Sequence, residues 1–153
     1  MACATFEKCI TICSTADANY AELSDPKRQV GLQPLLVETE ELEATAPASS
    51  RRFIAVEAVP VTLGWTLRNR IEVRIDLTRP GEVVEFHARS FPGVRVTSRY
   101  TLTPDGDRTT VHGCVRVEMS RLLRSFVTTR ADAAHGEPLR NLKRRLEPNG
   151  EAR

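Results

Sequence analysis

The sequence predicts an α+β fold: an antiparallel β-sheet laid against one long C-terminal helix, with two short helices after the first strand. Three observations predict it. Residues 65–77 (WTLRNRIEVRIDL) alternate, apolar at odd positions apart from Asn69 and polar or charged at even ones, which is the period of a sheet with one wet and one covered face. The pairs Pro80-Gly81, Pro92-Gly93 and Asp105-Gly106 follow one another at the spacing of a β-meander. After Met119 the apolar period lengthens to that of a helix, in the stripe Leu123, Val127, Ala131, His135, Pro138, Leu142 and Leu146, with Ala134 beside it.

Each element follows from its own residues. Residues 5–12 read as a first strand with Phe6, Ile10 and Ile12 on one face. Ser14 and Thr15 are N-cap candidates for a short helix over 16–23, because their hydroxyls can accept the free amides of a first turn. Asp25-Pro26 ends that helix, since proline disfavours helical geometry in the residue before it. A helical turn over 27–31 and an extended segment over 35–43 follow, and residues 44–50 (ATAPASS) form a polar loop. From Arg51 to Met119 the pattern is nearly all β.

The turns also predict register. A two-residue loop at Pro80-Gly81 sets Leu77 opposite Val84, Ile75 opposite Phe86 and Val73 opposite Ala88. The same loop at Asp105-Gly106 sets Leu102 opposite Thr109, Tyr100 opposite Val111 and Ser98 opposite Gly113, where a glycine marks a bulge or a close approach of the helix. Pro92-Gly93 fits only with an odd loop residue or a bulge. Ser120 is placed to cap a helix over 121–146, which Gly136 and Pro138 should kink.

Composition narrows the function. With 153 residues, 41% apolar and 27% charged, the chain suits one soluble domain over 1–147 with a short tail over 148–153. No apolar run is long enough for an integral membrane span. A net charge of +2 gives no electrostatic reason to expect nucleic acid. Cys3, Cys9, Cys13 and Cys114 form no CxxC pair and no standard ligand spacing, so buried reduced thiols in a cytoplasmic protein are expected, with no metal. The isolated glycines cradle no phosphate, and no cofactor is expected.

Taken in order, several segments resemble the START-related helix-grip superfamily, in particular its polyketide cyclase/dehydrase and lipid-transport branch. They are residues 16–25 (ADANYAELSD) with Pro34 downstream, residues 38–43, Asn69-Arg70-Ile71, Gly106-Asp107-Arg108-Thr109, Ala134-His135, and residues 139–147 (LRNLKRRLE). Leu32 stands where many relatives carry tryptophan, and Ser120 where many carry proline. The resemblance implies a helix-grip fold: a strongly curved sheet wrapped around the C-terminal helix, with an internal cavity for a hydrophobic small molecule. It implies cyclisation or dehydration of a polyketide-like substrate, or non-catalytic carriage or sensing of a lipid or hydrophobic metabolite. A regulator with a vestigial cavity is a third reading, and a homodimer is compatible with the sequence.

Candidate site residues are polar groups on faces that should be apolar. Asn69 interrupts Leu67, Ile71 and Val73; Ser90 continues Val84, Phe86 and Ala88; Ser98 and Tyr100 lie between Val96 and Leu102. A buried polar group must find a neighbour, a water or a ligand, at a cost of about 1–3 kcal/mol if it finds none. His135, on the inner helical stripe, titrates in the range that suits proton transfer. With Tyr100 as donor and Asn69 polarising a carbonyl, it makes a candidate catalytic set. Trp65, Leu67, Ile71, Phe86, Ser90, Ser98, Val127, Arg130 and Ala131 are the expected ligand contacts. His87 and His112 fall on the outward series and are expected to face solvent.

Overall fold

In the computed structural model, strands β1 (Ala2–Ile12), β2 (Leu36–Glu41), β3 (Ser50–Pro60), β4 (Thr66–Arg79), β5 (Val83–Ser90), β6 (Val94–Asp105) and β7 (Arg108–Met119) form one sheet. Every pairing is antiparallel, and the order across the sheet is β1-β7-β6-β5-β4-β3-β2. Strands β2 to β7 are thus the expected meander, and β1 closes it by pairing with β7. The structure describes residues 1–42, 49–60, 62–90, 93–125 and 136–147.

The short helices form where the caps placed them. Helix α1 (Ala16–Ser24) begins at Thr15, whose Oγ1 accepts the Ala18 amide at 3.2 Å. Ser14 instead gives its carbonyl to the buried Thr109 hydroxyl at 2.7 Å, tying the helix entry to β7. Asp25 then caps a 3-10 turn over Pro26–Gln29 through the Lys27 amide, with Pro26 in its first turn.

Register was legible in the strands and less so at their turns. Ile75 faces Phe86 and Val73 faces Ala88 as expected, but the register shifts between Asp76 and Arg79, so Arg79 faces Val83. The cause is a three-residue turn, with the Glu82 amide bonded to the Arg79 carbonyl and Gly81 at φ 78°, following the Pro-Gly signature of type II turns. In the last hairpin the loop is Gly106-Asp107, so Leu102 faces Val111, Tyr100 faces Gly113 and Ser98 faces Val115. Gly106 takes φ 65°, and glycine in the first loop position suits a type II′ turn. The error is two residues, so each side chain stays on its expected face. Ser90 pairs with Val94, leaving the odd, three-residue loop that Pro92-Gly93 required.

The middle of the expected helix over 121–146, residues 126–135, lies outside the described residues. The described parts are a 3-10 turn at Arg121–Leu123, where Ser120 makes no side-chain cap, and helix α2 (Glu137–Leu146). Pro138 lies in the first turn of α2, where its missing N–H has no intrahelical partner to lose; the expected kink bears on residues 126–135 and lies outside the described residues. Pro138, Leu139 and Leu142 are buried, and Lys143, Arg144 and Arg145 occupy the last turn, where cations meet the negative end of the helix dipole.

The core lies between the inner face of the sheet and these helices. Phe53, Ile75, Val84, Phe86, Tyr100, Leu102 and Val111 from the strands meet Leu23, Leu32, Leu139 and Leu142. The cysteines are free, but Cys3, Cys9 and Cys13 are exposed and Cys114 is partly so, which corrects the expectation of buried thiols. Cys3 and Cys9 stand on the odd series of β1, opposite in phase to Phe6, Ile10 and Ile12, so alternation itself turns them outward.

Candidate functional site

The inner face of the sheet carries a cleft of about 280 Å³. Its walls are apolar, built by Leu36, Phe53, Ala55, Ile71, Val73 and Phe86, and its polar groups are few: Gln29, Gln33, Glu57, Ser90, Ser98 and Tyr100. A concave apolar surface with a small number of convergent polar groups is the usual form of a small-molecule site.

Tyr100 is the most constrained of these. It lies across from Gly113, and a Cβ there would come within 3.1 Å of the Tyr100 ring and 3.6 Å of Leu139. Glycine at 113 is therefore what lets the ring lie flat over β7 beneath α2. Phe86 fixes the ring from the other side, edge-on at 5.8 Å between centroids. The hydroxyl is hydrogen-bonded to the Gln33 side chain, and full burial pushes its pKa up to about 12. At neutral pH the group is a neutral phenol, a donor rather than a base.

Gln33 is held in place by the C-terminal helix. Arg145 donates to the carbonyls of Arg28 and Val30 at 2.6 and 3.0 Å and pairs with Glu22 at 2.8 Å. Asn141 donates to the Leu32 carbonyl at 2.9 Å. Glycine suits the turn beneath Arg145: at Gly31 φ is +93°, and a Cβ would lie 2.8 Å from the guanidinium, which would have to move. Gln29, nearly fully buried, donates to the Leu23 carbonyl.

Glu57 brings the only ionisable carboxyl among the described lining residues. It stands in the inward series Phe53, Ala55, Glu57 of β3 and is paired with Asn69 across the strands. Burial raises its pKa above the ordinary carboxylate value, because the charged form loses hydration.

The sequence-derived candidates separate into three groups. Ile71, Phe86, Ser90, Ser98 and Tyr100 line the cleft, and Asn69 reaches it by donating to the Ser90 hydroxyl at 3.2 Å. Trp65 and Leu67 are not among the described lining residues: they are 72% and 59% exposed, just before and near the start of β4. His135, Val127, Arg130 and Ala131 lie outside the described residues. Gln29, Gln33 and Glu57 are cleft residues that sequence reasoning missed. Glu57 was findable, because the test that singled out Asn69 also applies to the Phe53, Ala55, Glu57 series. The glutamines were not, because Gln29 ends a four-residue 3-10 turn and Gln33 lies in the turn after it, segments too short for periodicity to have meaning.

Chemically, the cleft sets a phenol, a carboxyl that holds its proton more readily than usual, and an amide–hydroxyl pair around an apolar space. Such a set can hydrogen-bond a carbonyl oxygen and move a proton.

No protein-family model and no curated protein sequence matches the chain. Solved structures do. A START superfamily protein from Mycobacterium smegmatis superposes with a TM-score of 0.76 at 13% identity, over 94% of this chain and 97% of that one. The Zhui aromatase/cyclase from Streptomyces sp. R1128 gives 0.70 at 18%, over 97% and 99%. The di-domain aromatase/cyclase BexL from the BE-7585A biosynthetic pathway gives 0.74 at 14%, over 95% of this chain and 50% of that one. Identities this low speak to architecture alone, and the architecture they share with the present chain is a helix-grip fold.

Proposed function

We propose that the chain binds a hydrophobic or polyketide-like small molecule in the inner cleft and promotes its cyclisation or dehydration without a cofactor. The observation that carries this reading is the pairing of an apolar cleft with a desolvated carboxyl, Glu57, and a buried neutral phenol, Tyr100. A cavity meant only for carriage of an apolar lipid has no need of a carboxyl whose ionisation burial opposes. The aromatase/cyclases among the structural neighbours support the same reaction class.

In this reading Tyr100 and the Asn69–Ser90 pair hydrogen-bond a substrate carbonyl, and Glu57 supplies or accepts a proton as the bond rearrangement proceeds. His135 is the second proton-transfer group, assigned from sequence. Native mass spectrometry of the protein purified without added ligand tests the reading. A retained small molecule of hydrophobic character supports it. If one is found and turned over, Glu57→Gln and His135→Ala are expected to lower turnover with little change in melting temperature. Retention with no turnover under any condition would move the chain to the carrier reading.

A further inference from the structure

On the opposite, outer face of the sheet, Asp76 of β4 and Glu85 of β5 face each other across the strands, and His87 follows two residues along β5 on the same side. The His87 Nε2 atom lies 2.8 Å from Glu85 Oε1 and 3.1 Å from Asp76 Oδ2. The nitrogen is closed off from solvent, yet neither oxygen is aligned with it for a hydrogen bond. Three donor atoms, one nitrogen and two carboxylate oxygens, thus converge within 4.8 Å of one another.

We propose that Asp76, Glu85 and His87 form a binding site for a divalent transition-metal ion. Donors sharing an ion at about 2.0–2.2 Å lie about 3 Å apart along the edges of the coordination polyhedron, and off each other's lone-pair axes. That is the arrangement of His87 and its two carboxylates. A hydrogen-bonded ion pair at these distances would put an oxygen on the ring N–H axis instead.

The surroundings orient the donors. Ser50 donates to Asp76 Oδ1 at 3.2 Å, and Arg74 donates through Nε to Oδ1 at 3.1 Å and through Nη2 to Oδ2 at 3.2 Å. These bonds fix the carboxylate while leaving Oδ2 a second lone pair for an ion, the supporting role outer partners play at metal sites. Arg99 stands opposite Glu85 and Thr97 opposite His87 on β6. Mixed imidazole and carboxylate donors suit manganese or zinc.

The test uses tag-free full-length protein titrated with manganese(II), followed by loss of the free-ion EPR signal. Manganese is the probe because the exposed thiols of Cys3, Cys9 and Cys13 favour zinc and bind hard ions poorly. One ion per chain is expected. His87→Ala and Glu85→Gln should abolish binding, and Arg74→Gln should weaken it about tenfold. Asp107→Asn, in the β6–β7 turn, should leave it unchanged. No binding by the parent protein, or binding that survives both His87→Ala and Glu85→Gln, overturns the proposal. Circular dichroism of each variant separates loss of a ligand from loss of fold.

Discussion

The two faces of the one sheet hold polar groups by different physics. On the outer face they are many and paired along and across the strands: Arg68 with Glu38, Arg70 with Glu40, Arg52 with Glu72, Arg116 with Glu118. Most of these pairs are exposed, so water screens them and each contributes little to stability. On the inner face polar groups are few, and each bears a cost that a specific feature offsets. Tyr100 is satisfied by Gln33 and accommodated by Gly113; Asn69 and Ser90 satisfy each other; Glu57 is left with its pKa raised. A polar residue therefore carries functional information in proportion to what its burial costs, and the inner face is where that cost is highest.

The sharpest way to break this contrast is a pair of substitutions on the two faces of one strand, β4. Ile75→Ala, at a fully buried position, is expected to cost about 2–5 kcal/mol in chemical denaturation. Arg68→Ala, which removes a pair whose side chains are 66% and 63% exposed, should stay within about 1 kcal/mol. Equal losses would mean that the sheet does not divide into a packed and a solvated face.

Gly113→Ala probes the inner face more finely. The added methyl group meets the Tyr100 ring at 3.1 Å, and displacing a packed ring is expected to cost about 1–3 kcal/mol. Ligand affinity should fall with it, because the same ring forms the cleft wall. Stability lost with affinity unchanged would remove Tyr100 from the site.

Glu57→Gln should give the smallest and most informative effect on stability. A carboxyl whose pKa is raised by folding binds its proton more tightly in the folded state. Its contribution is present below the unfolded pKa and is lost as pH rises through the folded pKa. The parent should therefore lose stability relative to the glutamine variant across that window, and the two should converge at lower pH. Matching pH profiles in thermal melts would show Glu57 to be solvated.

Much of this was legible in the sequence, for physical reasons that also explain what was not. Alternation over residues 65–77 placed Ile71, Ile75 and Asn69 on the correct face, because a half-covered sheet admits no other pattern. Thr15 and Asp25 marked their helical segments through caps that need only local chemistry. Turn position was harder: both Pro80-Gly81 and Asp105-Gly106 tolerate loops one residue apart, and the choice rests on backbone geometry that composition does not encode. Alternation puts Trp65 and Leu67 on the inner face but does not say how far along the strand burial extends, and both are exposed. Gln33 reaches Tyr100 only through the Gly31 turn and the Arg145 latch, contacts between segments more than a hundred residues apart.

The central claim is that the inner face, and not the outer, receives a hydrophobic ligand. Amide chemical-shift mapping during titration with 2-naphthol, a small neutral aromatic, tests it most directly. Shifts are expected to concentrate at Ala55, Glu57, Ile71, Ser90, Ser98 and Gly113, with Arg74, His87 and Arg95 on the outer face unmoved. Shifts confined to the outer face, or none up to the solubility limit, would contradict it.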